Sequence, residues 1–154
     1  MRYGGLKGDE LESYRFELMK GTIVMNSKTD YWLEMCNDDL ITARTMFDAK
    51  QFLWMGFICH LVAEKALKAV IAEKTDKVPP KTHDLRRLAI LGDIFDSLSD
   101  EQKGLLKKLM PLHIEARYPE YKEKIKEILS AEYCKRILTE TEAFVCWTKQ
   151  LLGI

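Results

Sequence analysis

Residues 52–73 read FLWMGFICHLVAEKALKAVIAE, and this stretch decides the fold. Met55, Cys59, Val62, Ala66 and Val70 recur at three- and four-residue steps, the period of one helix face. Trp54, Phe57, Ile58 and Leu61 add apolar surface outside that stripe. A helix this apolar around its girth is either the centre of a bundle or faces a second copy of itself. Its end is set by Val78-Pro79-Pro80, because proline removes a backbone donor and restricts the residue before it.

Helical periodicity extends outward in both directions. Upstream, Thr29 or Asp30 is placed to cap a first helix in which Leu33, Cys36, Leu40, Ala43 and Phe47 share a face. Downstream, a third helix begins at Thr82 or His83, carries Leu85, Leu88 and Leu91, and stops at Gly92. Ser99 with Gln102 reads as a capping box for a fourth, with Leu105, Leu109, Leu112 and Ala116 on one face. Pro111 kinks or bounds that helix. Residues 119–129 are polar and partly helical. The last helix spans about Ala131 to Leu152, with Tyr133, Ile137, Thr141, Phe144, Thr148 and Leu151 in register. No alternating strand pattern competes. The expected fold is all-α, an up-and-down bundle of about four to five helices. Residues 26–154 form the domain, and residues 1–25, broken by Gly4, Gly5, Gly8 and Gly21, form an N-terminal arm.

The chain has 154 residues, 47% apolar and 31% charged, which suits one domain with a hydrophobic core. Lys and Arg total 24, as do Asp and Glu, so any nucleic-acid site is a local cluster and not a global basic field. No apolar run is long enough for a transmembrane helix, and Arg15, Glu17 and Lys20 interrupt any signal-peptide core. Cys36, Cys59, Cys134 and Cys146 form no CxxC pair and fall in apolar helical patterns, as expected for buried free thiols in a reducing cytoplasm. Zinc held by Cys59, His60 and another cysteine is a weak alternative, because adjacent residues rarely ligate one ion. The expectation is no metal and no cofactor.

Three clusters carry polar chemistry. His60, Glu64 and Lys68 are spaced i, i+4 and i+8 on the second helix. They form a stripe for a ligand or partner, or a Glu–Lys pair on a solvated face beside a satisfied histidine; spacing alone favours the latter. In Lys81-Thr82-His83-Asp84-Leu85, Thr82 suits a cap and Asp84 suits the helix dipole. His83 is left as an acid or base near neutral pH, or as a hydrogen-bonding partner of a neighbouring helix. Residues 113–121 gather His113, Arg117, Tyr118 and Tyr121 beyond Pro111. Arg117 offers a planar fork for phosphate and the tyrosines offer stacking faces, or else they pair and pack locally.

Taken in order, Asn37-Asp38-Asp39-Leu40 with Ala43, then residues 63–69 (AEKALKA), then His83-Asp84-Leu85 with Leu88, then Ala116-Arg117-Tyr118-Pro119, the chain resembles the HEPN domain family (higher eukaryotes and prokaryotes nucleotide-binding) over about residues 30–152. The resemblance implies a helical bundle that usually dimerises, often encoded beside a small nucleotidyltransferase in toxin–antitoxin or defence systems, with RNA or nucleotide in a cleft commonly near the dimer interface. Glu64, Lys65 and Lys68 match its helix-two motif, His83 and Asp84 the next, and Arg117, Tyr118 and Pro119 the last. Ribonuclease members carry an Arg followed after four to six residues by a His. No arginine precedes His60, His83 or His113 at that spacing, and Arg117 follows His113 instead. The resemblance therefore favours a dimeric binding module for nucleotide, RNA or a nucleotidyltransferase. The alternatives are a metal-independent endoribonuclease with His83 as base and Arg117 as phosphate clamp, and a structural scaffold.

Overall fold

The computed structural model describes residues 27–115 and 119–154. Those residues form six α-helices, namely α1 Ser27–Asp48, α2 Phe52–Thr75, α3 Leu85–Leu91, α4 Asp100–Glu115, α5 Pro119–Ile128 and α6 Ala131–Leu151, with a 3-10 turn at Phe95–Ser97. There is no strand among them. This is the all-α bundle that the periodicity predicts, with residues 119–128 helical throughout.

The apolar girth of α2 is explained by its position. It packs against α1, α3, α4, α5 and α6. Met55, Cys59, Val62, Ala66, Leu67 and Val70 are wholly buried in the common core, with Leu88, Leu105, Leu109, Ile137 and Phe144 from the surrounding helices. Gly56 lets α4 approach closely, since a Cβ there would stand 3.0 Å from Leu112 Cδ1.

The helix ends show where local chemistry acts. Ser99 and Gln102 form the predicted reciprocal box, with Gln102 N–H donating to Ser99 Oγ at 3.1 Å and Ser99 N–H to Gln102 Oε1 at 2.9 Å. Ser130 caps α6 through Tyr133 N–H. Two expectations shift. α1 starts at Ser27, and the Thr29 hydroxyl instead donates to Glu73 Oε2 at 2.6 Å, tying the start of α1 to the end of α2. α3 starts at Leu85, with Asp84 as its cap. Gly92 ends α3 at an ordinary φ of −79°, and the left-handed residue is Asp93. Pro111 lies inside α4. Cys36, Cys59 and Cys134 are buried, and burial pushes the Cys36 and Cys59 thiols up to about 12; Cys146 is exposed, contrary to expectation. Among the described residues no helix is long and apolar enough to cross a membrane.

Candidate functional site

The stripe His60–Glu64–Lys68 does not face solvent. Its members are 0%, 4% and 6% exposed, so the solvated-face reading is overturned. Helical spacing puts the three on one side of α2, and the packing of the chain around α2 turns that side inward. A buried carboxylate and ammonium are costly unless paired, and these are: Lys68 Nζ donates to Glu64 Oε1 at 2.7 Å. Lys68 Nζ also lies 5.3 Å from the centre of the Trp32 ring, a cation–π contact.

His83 is fixed from both ends. The turn after Pro80 runs through Thr82, whose hydroxyl accepts Asp84 N–H at 3.2 Å, and Asp84, whose carboxylate accepts Arg87 N–H at 3.1 Å. Between those two caps, the His83 carbonyl accepts a hydrogen bond from His60 Nε2 at 3.0 Å, while its own Nδ1 lies 2.9 Å from Glu64 Oε2. A carbonyl only accepts, so His60 carries its proton on Nε2. A carboxylate likewise accepts, so His83 donates from Nδ1. That leaves Nε2 on a ring with 57% of its side-chain surface exposed.

His113, from α4, completes the cluster. It is 4% exposed, and its ring centre lies 4.3 Å from that of His83, 4.5 Å from His60 and 5.3 Å from Phe57. Burial, with His113 alongside, pushes the His60 imidazole down to about 4, so it is neutral at ordinary pH. Burial also pushes Glu64 toward its protonated form, but hydrogen bonds and charge from Lys68 and His83 outweigh it and hold the carboxyl below its usual value. The cluster thus contains one ionised carboxylate, one ammonium and three imidazoles, with His83 stacked on His113 and His60 tilted against it.

Beside it lies a cleft of about 410 Å³ between the start of α3, the 3-10 turn and α4. Phe95, Leu106 and Met110 give it an apolar lining, and Arg86, Lys103 and Lys107 give it three cations against one acid, Asp84. Arg86 and Lys103 sit over the Phe95 ring at 5.2 and 4.9 Å. Asp84 is the residue after His83, so the cleft opens next to the cluster.

Of the residues singled out in the sequence, His60, Glu64, Lys68 and His83 come together. Asp84 is chiefly the α3 cap. Lys65 turns away and pairs with Asp39 of α1. Tyr121 stands exposed on α5 and is not in the cluster. Arg117 and Tyr118 lie outside the described residues. His113 is grouped with Arg117 by sequence, yet it belongs with His60; the available signal is its place four residues after Leu109, on the apolar side of α4. Cys59 Sγ is directed to Met55 Sδ at 3.6 Å, and among the described residues no cysteine joins His60 in a group of possible metal ligands. His60, Glu64 and His113 do bring three possible ligand atoms within 4.8 Å of one another.

A profile of the HEPN domain matches residues 29–151, from the third residue of α1 to the end of α6. This chain belongs to the HEPN domain family. The crystal structure of TT1696 from Thermus thermophilus superposes with a TM-score of 0.68 over 82% of this chain and 98% of that one, at 19% identity, a likeness of fold. No curated protein matches the chain. Within this HEPN bundle the Glu64–His83 pair joins the helix-two and helix-three motifs, which sit 19 residues apart in sequence.

Proposed function

We propose that this HEPN protein is a binding module for a phosphate-bearing ligand, a nucleotide or RNA, engaged at His83 and the adjoining cationic cleft. The observation that carries the reading is His83 itself: an exposed imidazole held at its side chain by Glu64 and at its carbonyl by His60. Such a fixed donor–acceptor, one residue along the chain from Asp84 of the cleft, suits recognition, because little ordering is left to do on binding. The three cations of the cleft supply attraction for phosphate, and its apolar lining gives a base a place to rest. The protein acts as a homodimer in this reading, with exposed Trp54, Ile90 and Leu91 available for contact. A small nucleotidyltransferase remains the protein partner suggested by the family resemblance.

A second reading, metal-independent RNA cleavage, is favoured by one feature. Glu64 fixes the His83 tautomer with Nδ1 protonated, so Nε2 carries the lone pair a general base needs. The test is anisotropy of a labelled single-stranded RNA and of a labelled nucleotide, in chelator, against the parent chain, His83→Ala and Lys103→Ala/Lys107→Ala. Binding weakened at least about tenfold by each variant supports the module, at roughly 1.4 kcal/mol per tenfold. Binding unchanged by both refutes it. Chelator-resistant cleavage lost in His83→Ala moves the assignment to a nuclease.

A further inference from the structure

Between His60 and Glu64 two electron-rich atoms face each other. His60 Nε2–H is spent on the His83 carbonyl, so Nδ1 bears the lone pair. That Nδ1 is buried, has no hydrogen-bond partner among the described residues, and lies 3.6 Å from Glu64 Oε2. An unsatisfied buried acceptor bears its full desolvation penalty, and an ionised carboxylate opposite it makes the position worse. A positive centre between the two atoms removes that cost.

We propose that His60, Glu64 and His113 form a binding site for one divalent transition-metal ion of the zinc class. His60 and Glu64 have the i, i+4 helical spacing that lets two side chains reach one ion. Zinc binds imidazole nitrogen and carboxylate oxygen at about 2.0–2.2 Å, which sets tetrahedral ligand atoms about 3.4 Å apart. The His60–Glu64 separation of 3.6 Å is already near that value, and the three possible ligand atoms all lie within 4.8 Å of one another.

The surroundings fit as well. A metal-ligating histidine usually donates its other N–H to a carbonyl or carboxylate, as His60 does to His83. The liganding carboxylate is itself anchored, by Lys68 on Oε1 and His83 on Oε2. Two imidazoles and one carboxylate select zinc-class ions over magnesium or calcium, which prefer oxygen donors throughout. Three protein ligands leave a fourth position for water. The inference does not require that the chain bind nucleotide or RNA.

The experiment uses the full, tag-free chain, stripped with a chelator, dialysed, and titrated with zinc alone and with cobalt(II) as a spectroscopic probe. One equivalent of each ion binds, cobalt gives a visible ligand-field band, and zinc raises the melting temperature. His113→Phe keeps the stack on Phe57 and His83; His60→Gln keeps an amide donor for the His83 carbonyl. Each loses the cobalt band and weakens zinc binding by at least about a hundredfold. Metal-free melts verify that both variants fold. Cys146→Ser, which removes the exposed thiol, keeps the band. Failure to bind one equivalent of either ion overturns the site, as does a band that survives His113→Phe and His60→Gln or vanishes in Cys146→Ser.

Discussion

On one side of α2, Cys59 and Val62 are wholly buried against helices α1 and α6; the Cys36 thiol reaches the Val62 carbonyl at 3.5 Å. On the other side His60, Glu64 and Lys68 are nearly as buried, against His83 and His113. The first side is accounted for by the transfer of apolar surface out of water. The second is not. Hydrophobic residues of similar volume would fill its space without the desolvation cost of a carboxylate and an ammonium. A polar cluster kept inside a bundle at that cost, with one imidazole left exposed at its edge, points to use and not to stability.

The largest effect separating the two sides is expected from Glu64→Ala. It strands Lys68 in the interior and releases His83, and chemical denaturation should show a loss of about 3–5 kcal/mol. A loss below about 1 kcal/mol erases the contrast. Acid acts on the same side. His60 has its folded value lowered from 6.5 to about 4, so between those values the unfolded chain takes up a proton that the folded one does not. Glu64, also lowered, loses its contribution as pH falls through its own range. Both signs agree: in chelator, melting temperature falls as pH drops from 6.5 toward 4, and His60→Gln flattens the slope. On the apolar side Ile137→Val, at a buried position of α6, costs about 0.5–1.5 kcal/mol by denaturation with no change in that acid slope. The smallest effect is Asp39→Ala. Its pairing with Lys65 lies nearer the surface of the same helix, and its loss costs under about 1 kcal/mol by the same measurement.

The fold is legible because its signals are local. The Ser99–Gln102 box, the Pro79-Pro80 break and the period of α2 each act over a few residues, and each holds in three dimensions. The site is legible in part. The i, i+4, i+8 spacing puts His60, Glu64 and Lys68 on one face, but spacing does not say which way a face looks. The surrounding helices decide that, and they bury it. His83 stands out as unexplained by capping, yet its bond to Glu64 depends on how the turn after Pro80 folds back along α2. His113 falls in the wrong group when proximity in sequence is weighed above its register with Leu109. Lys65 matches the family motif as well as Lys68 does, but it lies one residue past Glu64 in the helical rotation and pairs with Asp39 instead.

The central claim is that the polar side of α2 serves ligand binding and not stability. Its most direct test is the double replacement Glu64→Leu with Lys68→Met, which removes both buried charges together, followed by melting and by anisotropy with the same labelled RNA and nucleotide. The account predicts a folded chain, equal to the parent in stability or higher by about 1–4 kcal/mol, with binding lost. A variant that fails to fold, or one that binds as tightly as the parent, contradicts it.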